Sequence, residues 1–204
     1  MHKNPFPTYG DSLINTLIST YAEENHAARV YAEISDARGW PLLIDHVAVR
    51  CLDIETRAAI FLKSGYVFRG ERVEYPDQGW WAKIYRKARQ PVLFVDQAYT
   101  DARGKNSIIP AWVKRFGDKA LHHIAVRVDD IDQAVAVLKT HGIQFAGAIV
   151  GSPGSRLRQV FTASEVREGA AYSVLELTER NGYTGFYPDQ ANALMQSSTR
   201  KISE

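Results

Sequence analysis

At 204 residues, with 45% hydrophobic and 24% charged positions, the chain is long enough for one domain with a sizeable core and too short for two large independent ones. This composition excludes collagenous and mostly disordered classes, and a formal charge of +2 without a long basic block argues against nucleic acid as a partner. A single cysteine, Cys51, rules out an internal disulfide and fits a reducing compartment, while the absence of an apolar leader core and of any run near ~18 apolar residues makes the cytoplasm the expected location and a membrane an unexpected partner.

In chain order, residues 11–22 and 25–37 carry helical spacing (Leu13, Leu17, Tyr21; then Ala27, Val30, Ile34) and predict a helical pair within an N-terminal segment, 1–42. An internal echo follows. Laying 45–70 over 122–147, a shift of 77 without a gap, gives ten identical pairs in 26, among them His46/His123, Arg50/Arg127, Asp53/Asp130 and Gly65/Gly142. Each copy opens with a period-two strand (45–51, 122–128). A helix comes next, with Asp53 or Asp130 as its N-cap and Gly65 or Gly142 as its left-handed stop.

Strands are predicted at 66–75, 80–86 and 92–96 in the first copy, and at 143–150, 156–162 and 172–178 in the second. The chain thus reads as an α+β protein: two tandem βαβββ modules, 43–97 and 121–180, form a curled mixed sheet. A linker, 98–120, carries a short helix at 108–116, and the segment 181–204 holds one more helix, at 189–197, before a polar end. Two such halves, each with an open apolar face, are expected to pair about a pseudo-twofold axis and share a cleft, as one compact domain.

Alternation puts His46, Ala48 and Arg50 on one face of the first strand, and His123, Ala125 and Arg127 on the matching face of its copy. Glu176 lies in an otherwise apolar strand, where a buried carboxylate needs a counter-charge and a cation serves best. Two imidazoles and one carboxylate make a facial set of the kind used by non-haem Fe(II) oxygenases, although Zn²⁺, Ni²⁺ or Mn²⁺ also suit three such donors. His122 takes the register of Asp45 and is expected to face the opposite side of the sheet, as a structural residue. His141, at a helix end, can cover free carbonyls, and Trp80 and Trp81 are expected on opposite faces.

The strings 46–50, 123–131 and 175–180 resemble the vicinal oxygen chelate superfamily of glyoxalase I, methylmalonyl-CoA epimerase, extradiol dioxygenases and 4-hydroxyphenylpyruvate dioxygenase. The segment 176–194 is similar to the end of the 4-hydroxyphenylpyruvate dioxygenase catalytic half, and 157–162 to the strand in which that family turns a glutamine, here Gln159, towards substrate. The N-terminal helices leading into 45–50, with 196–198, look still more like the 2-oxoadipate dioxygenase/decarboxylases. There an arginine four residues after the first ligand grips a substrate carboxylate, and Arg50 matches it. The chain lacks inserted segments that shape the pocket in those relatives.

The resemblance implies an Fe(II) enzyme with His46, His123 and Glu176 as ligands and Arg50 and Gln159 on the substrate. A 2-oxo acid and O₂ would be the partners and CO₂ would be lost; Phe186 and the helix near 192–195 are candidate lid elements, with packing over the open end of the barrel as the other reading. A homodimer is compatible with it. A glyoxalase-like isomerase or lyase, commonly with a fourth protein ligand from the first module, is the alternative; by alignment Phe94 stands at that fourth position, and a shifted register would place Asp96 there instead. A metal-free ligand-binding module is the remaining reading.

Overall fold

The structure is a computed structural model that describes residues 5–199; His2 and the polar end expected after the last helix lie outside them. Two helices come first, α1 (Ser12–Glu24) and α2 (His26–Arg38), capped by Asp11 and Asn25, whose side chains accept backbone N–H groups of the first turn. The first module then runs β1 (Ile44–Cys51), α3 (Ile54–Lys63), β2 (Val67–Tyr75), β3 (Trp80–Arg86) and β4 (Val92–Ala98). After α4 (Ile109–Phe116) the second runs β5 (Leu121–Arg127), α5 (Ile131–Thr140), β6 (Leu157–Phe161), a small hairpin of β7 (Val166–Arg167) and β8 (Ala170–Ala171), and β9 (Val174–Arg180), before α6 (Pro188–Thr199).

The repeat determines local structure as its residue types require. Asp53 accepts the Thr56 N–H at 2.7 Å and Asp130 the Gln133 N–H at 2.9 Å, so both helices start at equivalent caps. They stop at Gly65 (φ 100°) and Gly142 (φ 82°), in a region that penalises any Cβ.

Seven strands form one curled mixed sheet in the order β2-β3-β4-β1-β5-β9-β6. β1 and β5 meet antiparallel at its centre, and each has a parallel neighbour on its outer side, β4 and β9. The modules are therefore joined through the two strands that carry the repeated histidines.

One expected strand does not form as such. The segment 143–150 pairs with its neighbours only through the isolated bridges Phe145 to Thr162 and Val150 to Gln159. Between them Gly147 lies against α6, where a Cβ would come within 3.2 Å of the Ser197 Cβ. The stretch makes room for the last helix instead of completing a ladder.

Alternation along the strands sorts side chains into two layers. Val47, Val49, Leu93, Val95, Ile124, Val126, Leu175 and Leu177 pack on the convex side with α1, α2, α3 and α5. Ala48, Tyr75, Trp80, Phe94, Phe161 and Val174 line the concave side, which α4 (Trp112, Val113) and α6 (Leu194, Met195) cover. Trp80 and Trp81 divide as alternation requires: Trp80 stacks on Tyr75 at 3.9 Å on the concave side, and Trp81 packs against the convex cluster under Arg72.

The central pair is irregular in two places. Ile44 and His46 are opposite Val126 and Ala125, so Asp45 is an extra residue in β1; Ala48 and Val49 are opposite His123 and Leu121, so His122 is an extra residue in β5. These bulges occupy equivalent places in the repeat, each just before the repeated histidine.

Phe61 is fully buried in the convex core and meets Tyr66 edge-on at 6.2 Å. Phe61→Ala is expected to cost about 3–5 kcal/mol in urea unfolding, because the cavity forms where helix and sheet cannot collapse together.

Candidate metal centre

His46 on β1, His123 on β5 and Glu176 on β9 all project from the concave face, on three strands adjacent in the sheet. One ligand atom from each lies within 4.8 Å of the others. His46 Nε2 is 3.1 Å and His123 Nε2 3.6 Å from the same carboxylate oxygen, Glu176 Oε2. Donors about 2.1 Å from one ion and at right angles to each other sit roughly 3 Å apart, so this donor set fits a single cation. The other oxygen, Oε1, accepts the Gln159 amide at 2.6 Å and the Thr178 hydroxyl at 2.7 Å, which leaves Oε2 alone facing the histidines.

The strand register explains why three such residues converge, and not four. Glu176 pairs with Ala125 on its parallel neighbour, and Phe94 pairs with Ala48 in the same relation. Phe94 thus holds the place in the first module that Glu176 holds in the second. Asp96, one step of two further on, pairs with Arg50 as Thr178 pairs with Arg127.

Charge in this setting is set by burial and by neighbours. Burial opposes ionisation of Glu176, but the two imidazoles and the Thr178 hydroxyl hold its pKa below the ordinary value. Burial would also lower His46, yet Glu176 and Asp45 outweigh it and raise the ring to about 9. His123 is pushed down to about 3, first by burial, with Glu176 opposing and His46 and Arg50 adding to the fall. His122 falls well below its ordinary value for the same leading reason.

Support for His46 comes from residues that sequence reasoning missed. Its Nδ1–H donates to Asp45 Oδ2 at 2.9 Å. Asp45 is gripped bidentately by Arg180 at 2.7 and 2.8 Å and by Arg127 Nε at 2.8 Å. Arg180 also donates to the Tyr183 and Gly185 carbonyls and lies 4.7 Å from the Phe186 ring centre. Phe186 in turn meets His46 edge-on at 5.3 Å. The available signals were the charge directly before His46 and the arginine ending the Glu176 strand.

His122 does not face the convex side. The bulge turns it to the same side as His123, with the two Nδ1 atoms 3.0 Å apart and the ring packed near Trp112 and Phe161. Strict alternation fails here because an extra residue resets the period. His141 covers a carbonyl as expected, its Nδ1–H donating to Val137 at 3.0 Å.

Two cavities adjoin the site. The chamber lined by His46, His123, Glu176, Gln159, Phe186 and Leu194 holds about 30 Å³, room for an ion and little more. The other, about 330 Å³, is lined by Arg50, Trp112, Arg115, Phe116, His122 and Ser198 among others. Arg50 is only 2% exposed, sits 5.4 Å from the Trp112 ring centre, and has no hydrogen-bond partner for Nε or Nη2. Burial lowers its pKa to about 10 against the pull of Asp96. Nothing on the protein side satisfies those two nitrogens, so burial penalises the guanidinium without compensation there.

A family model described as the glyoxalase/bleomycin resistance protein/dioxygenase superfamily matches residues 45–160, more than half of the chain. Among solved structures, one from Shewanella frigidimarina NCIMB 400, provisionally described as a hydrolase, is 19% identical at a TM-score of 0.68, over 89% of this chain and 98% of that one. A variant of 4-hydroxymandelate synthase from Streptomyces coelicolor is 22% identical at 0.61, over 76% of this chain and 54% of the synthase. A methylmalonyl-CoA epimerase is 27% identical at 0.50, over 68% of this chain and 94% of the epimerase. No curated protein matches the chain in sequence.

Burial raises the pKa of Asp96 to about 7, with Arg50 and His46 opposing. The folded state then holds a proton that the unfolded chain has lost between about pH 4 and 7, so this group's contribution to stability falls as pH rises through that window. Asp96→Asn is expected to stabilise the protein by ~1–3 kcal/mol at pH 8 and to have little effect at pH 4, read from urea midpoints at the two pH values.

Proposed function

The chain belongs to the glyoxalase/bleomycin resistance protein/dioxygenase superfamily, and we propose that it is an Fe(II)-dependent dioxygenase that decarboxylates and oxidises a 2-oxo acid, in the manner of 2-oxoadipate or 4-hydroxyphenylpyruvate enzymes. The observation that carries this reading is the three-donor set, His46, His123 and Glu176, with the apolar Phe94 at the position from which the first module would add a fourth donor. His46, His123 and Glu176 would hold the iron, which would supply the redox chemistry towards O₂ and a 2-oxo acid.

The chain's own residues supply binding, orientation and the exclusion of water. Gln159 and Thr178 hold Oε1 of Glu176, so the carboxylate offers one oxygen. Arg50, unpaired and buried at the wall of the 330 Å³ chamber, is suited to take a carboxylate of the substrate through its two free nitrogens. Phe94, Phe186, Leu194 and Met195 give the inner chamber an apolar wall. Phe186 and α6 border the inner chamber and are placed to shield it from water once substrate is bound.

A second reading, a metal-dependent isomerase or epimerase in which a redox-inert ion only polarises a carbonyl, has the likeness to methylmalonyl-CoA epimerase in its favour. Oxygen consumption separates the two. Anaerobically purified protein is expected to carry about one iron per chain and to consume O₂ only when a 2-oxo acid is present, whereas Glu176→Ala should lose the iron and the uptake together. Bound metal with no O₂ uptake across a panel of 2-oxo acids would favour the isomerase instead. Arg50→Lys, which keeps the charge but loses the fork, is expected to raise KM for the 2-oxo acid about 10–100-fold with a smaller change in kcat.

A further inference from the structure

We propose that His122 is a positioning residue for the metal site: its Nδ1 accepts the Nδ1 proton of His123 and so fixes that ring with Nε2 bare towards Glu176. The inference rests on the reading of His46, His123 and Glu176 as ligands and adds a support that the ligand set itself does not contain.

The backbone creates the opportunity. Each module inserts one extra residue directly before its repeated histidine, Asp45 before His46 and His122 before His123. A bulge turns the side chain of the extra residue to the face it would otherwise avoid, within reach of the next side chain. Asp45 uses this to hold His46 Nδ1 at 2.9 Å, and His122 holds His123 Nδ1 at 3.0 Å. The two supports are equivalent in the fold and different in chemistry, one a carboxylate and one an imidazole.

The proton's position follows from the distances. Two nitrogens 3.0 Å apart share a single proton, which belongs to one ring or the other. If His122 donated, His123 would carry its proton on Nε2, and that nitrogen would seek the Glu176 carboxylate beside it. Yet His123 Nε2 is 3.6 Å from Glu176 Oε2, beyond hydrogen-bonding range, whereas His46 Nε2 lies at 3.1 Å. Nε2 of His123 is therefore bare, and His123 is the donor to His122.

His122 can hold this role because it cannot swing away. It is 4% exposed, and the rings of Trp112 and Phe161 stand nearly perpendicular to it. Its own proton then sits on Nε2, on a ring that also lines the chamber of Arg50. The same side chain thus orients a ligand and borders the space assigned to the substrate.

The test compares His122→Phe, which keeps a packed ring and removes the acceptor, with His122→Asn, which loses the ring and keeps an acceptor oxygen. Zn²⁺, used as a redox-inert probe, is titrated into metal-free protein against a chelator, with circular dichroism confirming the fold of each variant. His122→Phe is expected to weaken Zn²⁺ binding about 10–100-fold, and His122→Asn to stay within about threefold of the parent. Unchanged affinity in His122→Phe, or equal losses in both variants, overturns the proposal.

If the parent takes up no Zn²⁺, the ligand assignment itself fails. The positioning claim is still decided by ¹⁵N NMR of the His123 ring in the metal-free protein. An Nδ1–H tautomer that His122→Phe abolishes upholds it, and an Nε2–H tautomer in the parent refutes it.

Discussion

A carboxylate with 1% of its surface exposed cannot sit in an apolar sheet unless its surroundings are built to compensate it, and Glu176 imposes that constraint on the whole concave face. One of its oxygens is satisfied by Gln159 and Thr178 from its own half of the sheet; the other reaches across to two imidazoles. The attraction between Glu176 and His46 raises the imidazole's pKa and lowers that of the carboxyl, so the pair holds together without an ion. The same pairing keeps the donor atoms close enough for a cation to replace the shared proton.

The compensation extends outward in layers. Asp45 fixes His46 and is itself neutralised by Arg180 and Arg127, and Arg180 holds the carbonyls of the turn that presents Phe186 to the site. A chain of charge-assisted hydrogen bonds therefore joins His46 to the turn that carries Phe186. Gln78, in the turn after β2, ties α6 to the first module by donating to Asn192 Oδ1 at 2.7 Å.

The two modules share one backbone plan and fill its equivalent places unequally. The two central strands bring one histidine each, but Phe94 and Glu176, Asp96 and Thr178, Asp45 and His122 are pairs in which the modules differ. The second module thereby gives two donors and the first gives one donor plus an apolar wall. Arg50, on the first module's central strand, faces a chamber with unpaired nitrogens, whereas its repeat partner Arg127 is spent on Asp45.

Much of this was legible in the chain alone. The echo at a shift of 77, the aspartate caps, the glycine stops and the period-two strands outlined two modules; alternation put His46 and His123 on matching faces, and the apolar run around Glu176 singled out its carboxylate, because each is a local property of consecutive residues. The convergence of those three on one point needed the register of β1, β5 and β9, which joins residues far apart in sequence. The bulges at Asp45 and His122 likewise exist only where two strands pair, so strict alternation sent His122 to the wrong face. Segment 143–150 read as a strand, but the packing of Ser197 against Gly147 interrupts its ladder. The ion pair of Asp45 with Arg180 joins residues 135 positions apart, which no local pattern in the sequence reveals. Sequence determines periodicity and capping through near neighbours; pairing register and burial depend on distant ones, and those decided the site.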